Sequence, residues 1–535
     1  MNALPVIQRE LRVQARHSLT YTLRMISVAA LVAVVGYFGL EDQLVSGKGG
    51  EVFSWIHLTV LGGVGLLVPL SVADCLSRER REGTLGLLFL TPLRARDVVM
   101  AKGVAHGLRA VTTWAAVLPI GAVPVLLGGV GRAEAMLSVF GTFDALLIGL
   151  GAGIAASAFN KSSLGSLALT AVLTGACLCG LSVAHLHLVM MAVGQWLPGF
   201  QWPEWSNHLG WLGAALAFSA DAGQLWKQIW QALPGSARAC WLAAECATTL
   251  ATVLFVWRLA RIAAWRIERR WREEPSARAQ RMEQVFGSPV VWRLPFRRWL
   301  RWNLDRNPVG WLAQRRWTGR IVAWAWCAVL MGFYGVTAGD RRLLLEESQR
   351  LHVALAGLLM LSLAAVSAAS FRRERETGVL ELLLVAPLNL WQIIGGRLRG
   401  VWRQFLPAMI LLGAVWLYVG KYDSSVDANA LLFYGITFLT LPVIGLYYSL
   451  ARTNFINAFL RTLLVGLVLP LFLARTGEIT DVLYWVLQSG VSPSWGGFWN
   501  VYLSAPVQVW LAALYAQNLH ENLECRHFAL ERKPT

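Results

Sequence analysis

The chain has 535 residues, 56% hydrophobic and only 15% charged, with a mean hydropathy of +0.50. A soluble protein carries about a quarter charged residues, so this composition excludes an ordinary soluble domain. The net charge of +17 sits in short segments between apolar stretches of about 20 residues, which is the pattern of a polytopic membrane protein rather than of a nucleic-acid binder.

Residues 1 to about 18 mix Arg9, Glu10 and Arg12 with Leu4, Ile7 and Leu11 and read as an amphipathic helix on the bilayer surface. They precede a span of full length without a small-residue cleavage site, so they are not a cleaved signal peptide. Apolar stretches near 20–40 and 54–75 form the first two spans, separated by the acidic Glu41, Asp42 and Glu51. The third span opens with Lys102, His106 and Arg109 on one helical face, where snorkelling to headgroups is expected. Spans near 137–157, 164–190 and 239–257 complete the first six. A Trp-rich stretch, 195–235, separates the last two on the outer side.

Residues 258–306 read as a basic cytoplasmic linker between units 1–257 and 307–535. The second unit repeats the plan. Asn307 to Arg316 echoes the first surface helix, and spans fall near 320–337, 351–370, 404–420, 430–450, 456–474 and 499–517. The expected fold is therefore all-α, with about twelve spans in two six-helix halves. Both termini are expected on the cytoplasmic side of the cell inner membrane.

The repeat is sharpest after the second span of each half. RERREGTLGLLFLTPL at 78–93 returns 295 positions later as RERETGVLELLLVAPL at 373–388, with nine of sixteen positions identical. Recurrence this far apart means two fused copies of one unit. A charged cluster leads into an eight-residue apolar run ended by proline. Eight helical residues reach about 12 Å, far short of the roughly 30 Å of hydrocarbon. The run lies along a membrane or docks into a partner.

Gly149, Gly153 and Ser157 in the fourth span, and Gly445 and Ser449 in its counterpart, are small residues spaced for close helix packing. Asp144 and Glu245 are intramembrane carboxylates, for which helix pairing competes with a pathway role. The seven cysteines, among them Cys75, Cys177, Cys179, Cys240, Cys246 and Cys327, read as small buried hydrophobes. Cys177-x-Cys179 lacks zinc-knuckle spacing, and His185-x-His187 points two ways on a helix. No catalytic cluster and no metal site is expected. No G-x-x-x-x-G-K-[ST] phosphate loop occurs, so this chain has no evident means of hydrolysing ATP.

The segment E-R-x-x-G-x-L-x-L-L-x-x-x-P-L resembles the signature of permeases of ATP-binding-cassette (ABC) transporters of the type-2 exporter family. Gly153 to Ser163 is similar to that family's stretch between the fourth and fifth spans. The resemblance implies that each repeated segment is a cytoplasmic coupling helix that docks onto an ATPase. Arg78, Glu79, Arg80, Gly83, Leu85, Leu87, Leu88 and Pro92 would form one coupling segment. Arg373, Glu374, Arg375, Gly378, Leu380, Leu382, Leu383 and Pro387 would form the other. The implied partners are two ABC ATPase subunits, identical or different, which bind the ATP and Mg; this chain itself holds no cofactor. The implied activity is export of an unidentified substrate. Family permeases are commonly single six-span units that pair, whereas here two are fused. Glu82 and Gly86 become Thr377 and Glu381, so the two docking surfaces differ. The rival readings are a twelve-span secondary transporter of the major facilitator kind and a membrane scaffold without transport.

Overall fold

The computed structural model describes residues 4–15, 18–40, 49–81, 83–90, 93–128, 130–160, 162–196, 234–270, 317–337, 348–376, 378–421, 428–451, 455–474 and 501–526. The second surface helix expected at 307–316, the Trp-rich stretch 197–233 and the segment 475–498 lie outside them. All regular structure among the described residues is helical. The chain divides into two compact units, Met1–Glu273 and Glu274–Thr535.

The first unit runs α1 (Leu4–Ala15), α2 (Ser18–Leu40), α3 (Gly49–Val72), α4 (Ser77–Arg81), α5 (Thr84–Phe89), α6 (Ala95–Ala115), α7 (Leu118–Gly121), α8 (Val123–Leu127), α9 (Arg132–Phe159), α10 (Ser163–Trp196) and α11 (Gly235–Arg270). The second runs α12 (Trp317–Thr337), α13 (Ser348–Ala368), α14 (Arg372–Glu376), α15 (Val379–Val385), α16 (Leu390–Gly420), α17 (Ala428–Leu450), α18 (Phe455–Leu463), a π-turn Leu464–Val468, α19 (Leu469–Ala474) and α20 (Val501–Glu524). A helix occupies every stretch expected to be a span. Among the described residues, seven helices are long and apolar enough to cross a membrane, or eight if α6 and the bent α7–α8 segment count as one span. Leu23–Gly36, Val322–Gly335 and His352–Ala368 are shorter apolar helices.

One helix organises each unit, the one in the stretch expected to be its fourth span. In the first unit α3, α6, α10 and α11 all pack on α9. In the second, α13, α16, α18 and α20 pack on α17. Small residues make this possible, because in lipid close backbone approach drives helix association. A Cβ built on Gly149 would lie 3.0 Å from the Pro69 ring of α3, and one on Gly153 would lie 2.8 Å from the Val72 Cβ. On the other flank, a Cβ on Gly151 would lie 3.1 Å from Val256 of α11. The second unit repeats the contact: a Cβ on Gly445 would lie 2.6 Å from the Ser367 Cβ of α13. Gly153→Ala and Gly445→Ala are expected to cost about 1–3 kcal/mol each, the usual penalty for overpacking. Gly175→Ala on α10, with no neighbour within 4 Å, is expected to be neutral or mildly stabilising. Thermal unfolding of the purified variants checks all three.

Two departures from the sequence reading concern the linker and the cysteines. The basic stretch that begins at Arg258 does not start as a linker. It continues the last helix of the first unit to Arg270, because Ala263, Ala264 and Ile267 bury one face against the unit's core. The cysteines are not all buried either. Cys179, Cys240 and Cys246 lie on the exposed faces of their helices, which in α10 and α11 are apolar faces suited to lipid.

Candidate functional site

The repeated segment begins where α3 ends. Beyond Val72 the chain makes turns at Ala73–Leu76 before resuming as α4. The break leaves helix-terminal carbonyls without intrahelical partners. Arg109 Nη2 of α6 donates to the Ser71 carbonyl at 2.9 Å, and Ser166 Oγ of α10 donates to the Ala73 carbonyl. Arg81 returns to Asp74 with two bonds of 2.8 Å, so α4 is clamped to the turn that launches it. The bidentate fork makes this a directional clamp rather than a loose charge pair.

A glycine then turns α4 into α5. Gly83 has φ 71° and ψ −1°, a left-handed conformation that costs other residues about 1–2 kcal/mol. Gly378 has φ 72° and ψ −1° between α14 and α15. Each short helix that follows is amphipathic. Leu85 (3% exposed) and Leu380 (1%) are buried, and Leu88 and Leu383 pack half-buried beside them. Leu87 and Leu90 point outward at 65% and 80% exposure. Their counterparts at the same 295-residue offset, Leu382 and Val385, are 73% and 72% exposed. Two strongly exposed aliphatic side chains therefore crown each short segment, and Val379, 42% exposed, adds a third on α15.

The inner faces of α5 and α15 rest on matching cores. Leu85 shares a cluster with Val98 and Val99 of α6, Ile154 and Ala158 of α9, and Ala263 and Ile267 of α11. Leu380 shares one with Ile393 and Ile394 of α16, Leu446 and Leu450 of α17, and Leu519 and Leu523 of α20. The α6/α16 pairs keep the 295 offset, while the α9/α17 pairs stand 292 apart.

The charged residues divide by role. Glu79 is half-buried and pairs with Lys102 Nζ at 2.9 Å. Glu10 of α1 also approaches Lys102, at 3.5 Å, and Arg9 bonds Glu10 at 2.8 Å and lies 3.7 Å from Glu79. The Glu10 hydrogen bond raises the Arg9 pKa further above its ordinary value, so Arg9 stays cationic. This cluster ties α1, α4 and α6 together. In the second unit Glu374 pairs with Arg397 at 2.7 Å, both side chains under 10% exposed, and Arg397 sits over the Phe371 ring. Glu79/Glu374 and Lys102/Arg397 keep one 295-residue offset.

The snorkelling expected of Lys102, His106 and Arg109 is thus overturned. All three are buried: Lys102 meets two carboxylates, and Arg109 meets the Ser71 carbonyl and His106 Nδ1. The carboxylates and the broken helix end supply partners inside the unit, so the side chains have no need to reach for headgroups.

Arg78 is exposed and Arg80 half-buried. Arg375 donates to the carbonyls of Leu450 and Ala451 at the end of α17. Pro387 is exposed. Pro92, Glu82, Thr377 and the Arg373 side chain lie outside the described residues, as do Lys161 and Arg452–Thr453. The segments differ in charge at Arg81/Glu376, Glu82/Thr377 and Gly86/Glu381; of the last pair, Gly86 is half-buried and Glu381 exposed.

Comparison of the chain with protein-family models, with curated proteins and with solved structures finds no match.

The remaining residues singled out in the sequence join the frame around these segments. Ser157 Oγ lies 3.4 Å from Cys75 Sγ, and the Phe371 amide donates to Ser449 Oγ at 3.4 Å, so each fourth helix touches the start of its repeated segment. Asp144 Oδ2 accepts from Thr249 Oγ1 at 3.2 Å and links α9 to α11. Glu245 accepts from Trp241 Nε1 at 3.3 Å within α11. One repeated pair escaped the sequence reading, which noted His57 but not its counterpart. His57 and His352 also stand 295 apart. His57 Nδ1 is 2.5 Å from Ser138 Oγ, and the buried His352 ring lies between Tyr334 and Trp416, at 5.6 and 5.2 Å. The shared offset was the signal that would have found the pair.

Proposed function

We propose that the chain is the transmembrane permease of an ABC exporter of the type-2 kind, with two six-span units fused and both termini cytoplasmic. The observation that supports this reading best is the paired construction of α5 and α15. Each is too short to span a membrane. Each enters through a left-handed glycine, buries one leucine face, and presents exposed aliphatic side chains at matching positions, Leu87 and Leu90 or Leu382 and Val385. The short helix before each, α4 or α14, is tied to the third span of its unit by an ion pair, Glu79–Lys102 or Glu374–Arg397. In this reading α5 and α15 are coupling helices, and two ABC ATPase subunits, identical or different, dock on them.

ATP and Mg are bound by those partners, and no catalytic chemistry falls to this chain. When the ATPases close, their push on the exposed leucines is transmitted by two rigid linkages. One is the leucine core shared with α6 and α9, or with α16 and α17. The other is the Glu79–Lys102 or Glu374–Arg397 pair. The bundle then moves the unidentified substrate across the cell inner membrane.

The chain isolated from its native membrane is expected to bring a separate ATPase with it. Gentle detergent extraction followed by identification of bound proteins is the test. Recovery without any ATPase, together with no ATPase encoded beside it, overturns the reading.

A further inference from the structure

The last helix of the first unit carries a second surface that the docking segments leave unused. α11 has one exposed face along which the chemistry changes with height. Leu250, Leu254, Trp257, Arg261, Trp265 and Arg269 follow one another at helical spacing on that face. The leucines are 61% and 56% exposed, and the tryptophans 48% and 49%. Arg258 lies beside Trp257, also exposed. The opposite face is fixed: Ala263, Ala264 and Ile267 are buried in the core that holds Leu85.

The gradient sets a depth scale. Ala239 to Trp257, between Arg238 and Arg258, contains one charge, the buried Glu245. That stretch rises about 28 Å, the thickness of the hydrocarbon. Trp257 therefore marks the hydrocarbon edge, where an amphipathic ring belongs. Arg261 stands about 6 Å beyond it, within the headgroup layer, and Arg269 about 18 Å beyond it, past that layer.

At headgroup height the exposed polar groups are two guanidinium ions and an indole, with Ile262 beside them. Arg261 lies over the Trp257 ring, 4.7 Å from its centre. Stacking holds the guanidinium plane and leaves its N–H edge free to donate in a fork, a geometry that suits phosphate. Among the described residues neither Arg258 nor Arg261 pairs with a carboxylate. Two unneutralised cations at this depth are complementary to negatively charged lipid.

We propose that Trp257, Arg258 and Arg261 form a binding site for the phosphate of an anionic phospholipid, next to the end of α11 that joins the core holding Leu85. The site requires only that α11 crosses a bilayer and does not depend on the identity of a docking partner.

Depth supplies an internal control. Arg269 repeats the same arrangement, 4.4 Å over Trp265, but beyond the headgroups. The full chain, purified from membranes and exchanged into micelles of equal phosphatidylglycerol and phosphatidylcholine, is analysed for lipid retained. Wild type is expected to retain phosphatidylglycerol preferentially. Arg258→Gln/Arg261→Gln is expected to weaken that retention about thirtyfold, from about 1 kcal/mol per basic residue at the surface. Arg269→Gln is expected to match wild type. Unchanged retention in the double variant overturns the proposal. An equal loss in Arg269→Gln overturns it too, by showing that charge alone, without depth, is read. Should the double variant fail to fold, Arg261→Lys carries the test, since it keeps the charge and loses the stacked fork. It is expected to reduce the preference severalfold, and no change overturns the site.

Discussion

Glu374→Gln is expected to destabilise the chain by about 3–5 kcal/mol, the usual result of leaving one member of a buried ion pair uncompensated. Arg397 has a side chain only 7% exposed, and among the described residues Glu374 is the carboxylate that it meets. Glu79→Gln is expected to cost clearly less, because Lys102 keeps Glu10 at 3.5 Å. The two substitutions look equivalent in sequence and differ in what remains behind. Thermal unfolding of the purified variants measures the difference, and a larger loss for Glu79→Gln would sink the argument. Charge reversal at both sites, Glu79→Lys with Glu374→Lys, should also uncouple ATP hydrolysis from the permease in the proposed complex. The exchange Glu374→Arg/Arg397→Glu restores an opposite-charge pair and should recover part of the stability. If stability returns and coupling does not, the position of the charges matters to transmission as well as to folding.

The outer faces of α5 and α15 should behave in the opposite way. Leu87→Ser with Leu382→Ser removes two exposed side chains, so stability is expected to stay within about 0.5 kcal/mol. Association with the proposed ATPase partners should fall roughly thirtyfold or more for each helix, since a truncated hot spot costs about 2 kcal/mol or more. Leu85→Ala and Leu380→Ala should reverse the pattern, with about 2–5 kcal/mol of stability lost at buried positions. Quantitative pull-down beside thermal unfolding separates the two classes. ATPase binding that survives Leu87→Ser/Leu382→Ser would remove the docking role from these helices.

The helices themselves were legible because hydropathy over 20-residue windows is a strong signal, and Gly83 and Gly378 were legible because the motif repeats. What the sequence concealed was pairing across turns. Lys102 lies 23 residues after Glu79, beyond a reversal of direction that periodicity cannot follow. Taken alone, a lysine near a span end reads as a snorkelling side chain. Comparison of the halves would have corrected this, since Lys102 and Arg397 are both basic at an offset that Glu79 and Glu374 share. The overrun of α11 was hidden for a different reason. Arginine-rich text reads as a linker, and only the placement of Ala263, Ala264 and Ile267 against a neighbouring core shows that it stays helical. The packing of Gly153 and Gly445 was readable as a pattern of small residues, but its partners, Val72 and Ser367, were not.

The glycines that launch α5 and α15 share φ and ψ to within a degree. Backbone direction at the two tips thus turns on a residue without a side chain. Shape is inherited by both copies, while charge is free to drift, as Gly86 and Glu381 show. A protein assembled from two identical chains cannot change one tip without changing the other. Joining the copies in a single polypeptide removes that constraint. Each tip can then be edited alone, and a symmetric ancestor can come to prefer two unlike partners by single substitutions.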